Sequence, residues 1–432
     1  MLVPAESLLA EAGRALARRI APSEQLATYA GEVARACHDM AGRFAAGGKL
    51  LVFGNGGPAT DAQHIAVEFV HPVIVGKRAL PALSLVSDVA TVMGIARRQG
   101  IDNVFTHQLA VLGAPDDIAL GVSSDGNCVN VLRGLEAAHA AGLLTVALVG
   151  GAGGAIATSS AVDHCFVVDS DDAHIVKEVH VTTYHVLWEL VHEFFGSSHS
   201  AGDSAGAAAL GSLYPFLYDR STTADAALDS VATSTQDKVN EIVDLRGRIG
   251  RELAERLAAC AAALAASFAA GGRMLAFGNG GSSTDAQDVV HTFFDPPEGL
   301  AALPALCLTN DAAVVTALSN DIGFDVVFAR QIAAFGRPGD VALGISTSGG
   351  SANVLSGFVR AKEMGLVTVG LSGYGGGKMA ALDCLDFLFA IPSSSVHRVQ
   401  EVQTTLYHVL WELTVFALGA AGQPERAAAT TA

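Results

Sequence analysis

The sequence predicts an α/β protein of two tandem domains, each a parallel five-stranded sheet flanked by helices in a flavodoxin-like three-layer sandwich. The first observation is an internal repeat, in which Gly54 matches Gly278 at an offset of 224 residues and Ser123 matches Ser346 at an offset of 223. The second is that short apolar strands alternate with helices in both copies, which is typical of a parallel sheet covered on both faces. This repeat is too long for a solenoid unit, so each copy is expected to be a domain.

The elements follow the same order in each copy. A helix, at about 25–46 and about 237–270, precedes an apolar strand (KLLVFG; RMLAFG) and a glycine turn that leads into a helix beginning TDAQ. A second strand (ALSLVS; ALCLTN), a helix and a third strand with a serine-rich turn (IALGVSSDGN; VALGISTSGG) come next. A further helix, the strands TVALVG and TVGLSG, the short strands CFVVD and FLFAI, and a long helix containing YHVLWEL complete the copies. Ligands of parallel sheets bind at the carboxyl ends of strands, where both turns fall.

The domain boundaries follow from composition. Segment 197–212 is rich in Ser, Gly and Ala and is predicted to be a linker. We therefore expect a first domain over 1–196, a second domain over 213–424 and a tail over 425–432. The N-terminal MLVPAESLLAEAGRALARRI carries charges throughout, so it is expected to be a helix of the domain and not a signal peptide.

Composition argues against several classes of function. The chain has 432 residues, half of them apolar, and a formal net charge of −17. This acidic balance argues against binding nucleic acid or an anionic membrane surface, because both need a basic surface. The apolar stretches are interrupted too often for a membrane span. The six cysteines are scattered without a CxxC pair, which suits reduced thiols, so we expect a cytoplasmic protein without disulfides.

A hydroxyl-rich turn in the second copy is typical of a phosphate site. The turn STSGGS at 346–351 feeds into a helix, whose free N–H groups and dipole favour an anion. A simple N-cap is the alternative, since Ser and Thr are common there. The first copy has Asp125 in this turn, where a carboxylate would repel phosphate and cap the helix itself. Pro58 in its glycine turn removes another backbone donor.

The first copy instead keeps residues suited to proton transfer or metal binding. His64 and Glu68 are four residues apart on the helix after the glycine turn, so they share a face. A His/Glu pair of this kind is also compatible with a plain surface contact. The second copy has Asp288 and Thr292 at these positions, and threonine cannot serve as a carboxylate base.

The long terminal helices add a recurring histidine, His185 in the first copy and His408 in the second. A satisfied core histidine is the alternative, but recurrence among large apolar residues favours a functional role. Earlier in the same helices, Lys177 of the first copy corresponds to Gln400 of the second.

Together these motifs resemble the sugar isomerase (SIS) domain, and specifically the phosphoheptose isomerase family. The resemblance covers nearly the whole chain, once per copy. It depends on GNGGSSTDAQ, TNDAAVVTALSNDIGFDVVF, GISTSGGSANV and VQEVQTTLYHVL in the second copy, and on GNGGPATDAQHIAVE and KEVHVTTYHVL in the first. It implies conversion of sedoheptulose 7-phosphate to D-glycero-D-manno-heptose 7-phosphate through a cis-enediol, with zinc as the cofactor.

The resemblance also implies roles for individual residues. Sugar-phosphate binding is assigned to the second copy, through Asn279, Gly280, Gly281, Ser282, Asn320, Asp321, Ser346, Thr347, Ser348, Ser351 and Gln400. The implied catalytic residues are Glu68, His185 and His408. The implied zinc ligands are His64, Glu68, Gln400 and His408. The first copy departs from the family at the phosphate-binding and glutamine positions, where it has Pro58, Arg97, Arg98, Asp125, Cys128 and Lys177.

Neither copy holds a complete set, so we expect composite sites that combine both domains. Ser282 and Thr292 are ten residues apart, roughly 15 Å along a helix at about 1.5 Å per residue, which is long for a seven-carbon substrate to bridge. We therefore expect the second copy to bind phosphate while the first supplies His64 and Glu68. The family works as a tetramer of single domains, so the resemblance implies a homodimer of this chain, with a monomer as the alternative.

Two other functions are compatible with the same residues. Active sites also degrade by such substitutions, which would leave a regulatory protein that binds sugar phosphates or an assembly scaffold. Complementary sets of retained residues favour the isomerase over a scaffold. The exact sugar phosphate, the pathway, and sharing within or between chains stay open at this point.

Overall fold

The computed structural model of the protein describes residues 3–74, 76–196 and 224–419. Within these ranges the chain forms two five-stranded parallel sheets flanked by helices, which confirms the predicted fold class. None of the described helices has both the length and the apolarity needed to cross a bilayer. The predicted linker at 197–212 and the tail at 425–432 lie outside the described residues.

The first half of the chain contains the following elements in order. They are α1 (Ala5–Ala17), α2 (Ile20–Gln25), α3 (Ala30–Ala45), β1 (Leu50–Gly54), α4 (Gly57–Val70), β2 (Ala82–Ser84), α5 (Val89–Gln99), α6 (Val104–Leu112), β3 (Ile118–Ser123), α7 (Val129–Ala140), β4 (Leu144–Gly150), α8 (Gly154–Ala157), β5 (His164–Val168) and α9 (Ala173–Gly196). Short 3-10 helices lie at Leu26–Tyr29 and Ile101–Asn103.

The second half repeats this series after one long helix. Its elements are α10 (Ala224–Ala269), β6 (Met274–Phe277), α11 (Gly281–Phe294), β7 (Ala305–Cys307), α12 (Ala312–Asp321), α13 (Val327–Phe335), β8 (Val341–Ser346), α14 (Ala352–Glu363), β9 (Val367–Ser372), β10 (Phe387–Ala390) and α15 (Val396–Gly419). Two 3-10 segments, Phe324–Val326 and Tyr374–Ala381, lie between them.

The strand order brings the two predicted turns side by side. The first sheet has the order β2-β1-β3-β4-β5 and the second the order β7-β6-β8-β9-β10. In each sheet the strand that precedes the glycine turn pairs with the strand that precedes the serine turn, β1 with β3 and β6 with β8. Because both strands of each pair run in the same direction, the two turns leave the same edge of the sheet.

Alternating side chains of β1 show the three layers. Leu50 and Val52 face a core cluster that includes side chains from α3, α4 and α9. Leu51 and Phe53 face a second cluster on the other side of the sheet, which includes side chains from α5, α6 and α7. Fully burying such a side chain contributes roughly 1.5–3 kcal/mol, so both faces stabilise the sheet.

The chain divides into two compact units, one of Arg19–Asp244 and the other of Met1–Arg18 with Leu245–Ala432. This division differs from the expected domain boundaries at the first helix. Helix α1 belongs to the unit that contains the second repeat: its Leu8 and Leu16 side chains are buried, and Arg18 at its end pairs with Glu412 of α15 at 2.6 Å. The long helix α10 contributes residues to both units.

Candidate active site

The glycine turn of the second domain leads directly into α11. Gly280 precedes this helix with φ 56°, a backbone conformation that glycine adopts without strain. The side-chain amides of Asn279 and Asn353 exchange two hydrogen bonds, of 2.8 and 2.9 Å, which tie this turn to α14. Asn55 and Asn130 make the same exchange in the first domain, at 2.7 and 3.1 Å. Both domains therefore keep the shape of the turn.

Pro58 and Ser282 hold the same place in the two glycine turns. The backbone N–H of Ser282 donates to the carbonyl oxygen of Asn279 at 3.0 Å. The N–H that proline lacks is thus used inside the turn of the second domain. The expectation that Pro58 removes a backbone donor for phosphate is therefore wrong, because the corresponding N–H of the second domain is already used. What a ligand would find different between the two turns is the Ser282 hydroxyl. Pro58 lies in the first turn of α4, where proline is well accommodated.

The serine turn of the second domain brings several hydroxyl groups to the start of α14. Ser346 ends β8, and its Oγ lies 3.0 Å from the Oγ of Ser351. Ser351 precedes α14 but makes no side-chain capping bond to it, so the simple N-cap is not observed. Ser348 is exposed, and its Oγ accepts a hydrogen bond from Gly350 N at 3.2 Å. Thr347 holds the neighbouring loop, since its carbonyl accepts from Gly373 N at 2.9 Å.

The corresponding turn of the first domain is closed by its own carboxylate. Asp125 Oδ1 accepts hydrogen bonds from Ser123 Oγ at 3.1 Å and from Asn127 N at 2.8 Å. The expected capping of the helix by Asp125 is wrong, because α7 begins only at Val129 with Cys128 before it and no side-chain cap. The Asp125 carboxylate instead accepts hydrogen bonds within the turn, from donors that a bound anion would need.

The predicted Asn-Asp pair lies at the end of α12. Asn320 Nδ2 donates to Asp321 Oδ1 at 2.8 Å, and both side chains are exposed. In the first domain Arg97 and Arg98 occupy the last turn of α5, where cations interact favourably with the helix dipole. The two domains thus present opposite charges on equivalent helices.

The first domain contains a buried cluster of His64, Glu68 and His185. The ligand atoms of all three lie within 4.8 Å of one another. His64 Nε2 is 3.5 Å from Glu68 Oε1, and the rings of His64 and His185 are 5.3 Å apart. The three residues are 2%, 3% and 0% exposed, respectively. Two imidazoles and a carboxylate are a donor set that zinc accepts, so these residues fit the metal.

The zinc ligands predicted from the sequence lie on elements of both domains, His64 and Glu68 on α4 and Gln400 and His408 on α15. Across the described ranges, His64, Glu68 and His185 are the one group of three or more His, Cys, Asp or Glu side chains with metal-ligand spacing. Within the first domain, the histidine beside His64 and Glu68 is thus His185. Gln400 is buried on α15, the helix that also carries His408.

His408 lies in a different environment, beside Asp288. His408 Nε2 is 3.2 Å from Asp288 Oδ2, and the Tyr407 hydroxyl donates to the same oxygen at 2.8 Å. Burial, and then the charge of Asp288, raise the pKa of Tyr407. Thr292 is buried one turn further along α11. The second domain thus has an imidazole, a carboxylate and a phenol where the first has a metal-type donor set.

Lys177 stands where the second domain has Gln400, and it binds the first turn of α4. Its Nζ donates to Asp61 Oδ1 at 2.6 Å, to Thr60 Oγ1 at 2.9 Å and to the carbonyl of Gly57 at 3.1 Å. Asp61 is not among the site residues predicted from the sequence. Its signal was the recurrence of the same residue in both copies, as Asp285 in the second.

One turn after Lys177, His180 is buried with its ring against the end of β4. The pKa of His180 is lowered to about 4, mainly by burial; the charge of Lys177 also lowers it, and a hydrogen bond with the Val149 backbone acts in the opposite direction. His180 is therefore neutral at pH 7. Gln403, which cannot be protonated, occupies this position in the second domain and is fully buried.

Comparisons with known proteins agree with the repeat. A family model for the SIS domain matches residues 17–150 and 239–373. Phosphoheptose isomerase of Roseiflexus sp. (strain RS-1) is 39% identical over 186 residues, 43% of this chain and 93% of that protein. Phosphoheptose isomerase of Desulfovibrio desulfuricans is 41% identical over 199 residues, which are 45% of this chain and 90% of that protein. Each relative thus corresponds in length to about one repeat.

A solved structure matches both halves. It is the C-terminal domain of glucosamine-fructose-6-phosphate aminotransferase from Francisella tularensis, with a TM-score of 0.55. The match covers 91% of this chain and 95% of that chain at 10% sequence identity, a level that shows the fold alone.

Proposed function

Because the chain belongs to the SIS domain family, with one SIS domain in each repeat, we propose that it is an aldose-ketose isomerase acting on a sugar phosphate. The proposed reaction is conversion of sedoheptulose 7-phosphate to D-glycero-D-manno-heptose 7-phosphate. Two relatives that bear the name phosphoheptose isomerase, at about 40% identity, support this substrate. The observation that carries the isomerase chemistry is the buried cluster of His64, Glu68 and His185.

Two proton movements are needed, and the cluster offers one group for each. In the ketose-to-aldose direction, the Glu68 carboxylate would take the proton from C1 and return it to C2 of the cis-enediol. The His185 imidazole would protonate O2 and accept the proton of O1, so that no net proton is gained or lost. A general base and a general acid of this kind each contribute about 10²–10⁴-fold to the rate. A zinc ion held by His64, Glu68 and His185 would polarise the carbonyl oxygen and acidify the neighbouring C–H group.

We propose that phosphate binding belongs to the second domain. The hydroxyls of Ser346, Ser348 and Ser351 lie at the start of α14, where N–H groups and the helix dipole stabilise an anion. In the first domain the carboxylate of Asp125 occupies the same turn. The two domains therefore retain complementary functions, and we propose that they combine into composite sites in a homodimer.

A second candidate function is regulatory binding of a sugar phosphate. It is favoured by one observation: in the domain with the intact serine turn, Asp288 is bound by Tyr407 and His408, and Thr292 replaces the carboxylate base. A domain of this kind would bind a sugar phosphate without turning it over.

Isomerisation of sedoheptulose 7-phosphate by the full-length chain tests the proposal. We expect turnover that is lost after removal of metal with a chelator and is regained when zinc is added. If the sugar phosphate raises the melting temperature of the wild-type chain but no aldose is formed, the isomerase proposal is overturned and the regulatory function is supported.

Mixing two inactive variants tests where the composite site forms. We expect E68Q and S348A chains each to have low activity. If their mixture regains activity, the composite site combines domains of two different chains. An inactive mixture indicates that the composite site combines the two domains of one chain.

A further inference from the structure

Lys177 has no role in the proposed function, although it occupies the position where the second domain has Gln400. It precedes His185 by eight residues, as Gln400 precedes His408 in the second domain. A glutamine amide carries an oxygen that can ligate a metal, whereas a lysine ammonium carries three donors and no acceptor. Lys177 in its protonated form therefore cannot complete a metal site.

Three hydrogen bonds fix the Lys177 ammonium on the first turn of α4. Their acceptors are Asp61 Oδ1, Thr60 Oγ1 and the carbonyl oxygen of Gly57. Lys177 is 7% exposed and Asp61 is 1% exposed, so the two form a buried pair of opposite charges. Asp61 precedes His64 by three residues, which places the pair roughly 4–5 Å along the helix from the first ligand at about 1.5 Å per residue.

We propose that the Lys177–Asp61 pair makes the first-domain cluster a metal site with three protein ligands and one open position. His64, Glu68 and His185 supply two nitrogens and one oxygen, a set that leaves the fourth position of zinc for water or a substrate oxygen. A fourth protein ligand from the lysine position would close the site. Lys177 keeps that position open because its ammonium is held on α4.

The same pair sets the affinity for the metal through its charge balance. An ammonium group near a divalent cation repels it, and the Asp61 carboxylate, 2.6 Å from Lys177, offsets that repulsion. Removing Asp61 alone leaves a positive charge beside the site, and removing Lys177 alone leaves a negative one. The two substitutions therefore change metal affinity in opposite directions.

Four variants separate the charge from the added ligand. D61N should weaken zinc binding by about tenfold, the scale of changes beside a metal's direct ligands. K177Q should strengthen it by about tenfold and also add a ligand. K177M removes the charge without adding a ligand, and D61N/K177M removes both charges and should bind close to wild type.

The test titrates the metal-stripped full-length chain with Co²⁺, followed by competition with Zn²⁺, without any sugar phosphate. The visible absorption of Co²⁺ reports its coordination, which a merely structural role for Lys177 would not alter. We expect K177Q to change this spectrum and K177M to keep the wild-type spectrum while binding more tightly. Circular dichroism shows which variants fold, and K177M, which removes only the ammonium charge, tests the charge effect if D61N does not fold.

Three results would overturn the inference. They are a wild-type chain that binds no Co²⁺, a folded D61N chain that binds as tightly as wild type, and a K177Q chain with unchanged affinity and spectrum. The inference builds on the proposed function, but the two can fail separately. Metal responses as expected without any isomerisation contradict the proposed function alone, and isomerisation without these responses contradicts this inference alone.

Discussion

His408 Nε2 lies 3.2 Å from Asp288 Oδ2, whereas the equivalent His185 shares a cluster with His64 and Glu68. Asp288 thus provides a carboxylate partner for His408 at the place where the first domain has a second imidazole. The second domain keeps a histidine and a glutamine but lacks two of the donors that a zinc site would need.

Restoring those two donors should create a metal site in the second domain. Asp288 and Thr292 are four residues apart on α11, as His64 and Glu68 are on α4. The double variant D288H/T292E is therefore expected to bind one more zinc ion per chain than wild type, because Gln400 and His408 are already present. Elemental analysis after dialysis measures the metal content. D288N/T292Q is the control, and an unchanged metal content in a folded D288H/T292E chain would contradict the expectation.

Stability should depend on pH through His180. Its pKa of about 4 lies below the ordinary value of 6.5. Between pH 6.5 and pH 4, His180 is therefore protonated in the unfolded chain but neutral in the folded chain. Stability is therefore present above pH 6.5 and is lost as the pH falls toward 4. At about 1.4 kcal/mol per pKa unit, the loss between pH 7.5 and pH 5 is about 2 kcal/mol.

The second domain offers the matched variants for this effect. H180Q copies Gln403 and should reduce the loss of stability in acid, whereas Q403H should increase it. Urea unfolding at both pH values measures the effect. Equal pH dependence in wild type and H180Q would show that His180 does not contribute.

The hydroxyl pair of the serine turn should contribute to substrate binding. Ser351 Oγ lies 3.0 Å from Ser346 Oγ at the start of α14. Losing a hydrogen bond to a charged group costs about 1.5–3 kcal/mol, so S351A should raise KM for the sugar phosphate by roughly 10–100-fold. Steady-state kinetics measures it, with C128A in the first domain as the control. A KM that rises equally in both variants would argue against phosphate binding by the second domain.

A buried ion pair should stabilise the first domain. Arg19 Nε donates to both carboxylate oxygens of Glu178, at 2.9 and 3.1 Å, and both side chains are 1% exposed. R19M leaves a buried carboxylate without this cation and should cost about 3–5 kcal/mol of unfolding free energy. R248M breaks the exposed Arg248–Glu252 pair and should cost about 0.5 kcal/mol or less. Similar urea midpoints for the two variants would contradict the expectation.

Local patterns predicted the sheets and the turns. The apolar strands, the glycine turns and the serine turns are contiguous in sequence, and the repeat showed each of them twice. The contact between Lys177 and Asp61 joins side chains 116 residues apart, and the packing of α1 in the unit of the second repeat is equally non-local. The hydrogen bond of Ser282 N within its turn also depends on local geometry that residue types do not specify. These features required the folded structure.

The separate effects of E68Q and S348A on kcat and KM test most directly whether the two domains divide one reaction. For sedoheptulose 7-phosphate, we predict that E68Q lowers kcat by about 100-fold or more with little change in KM, because a general base is lost. We predict that S348A mainly raises KM, because phosphate binding is weakened. Wild-type kcat in E68Q, or a KM of S348A equal to that of wild type, would contradict the account.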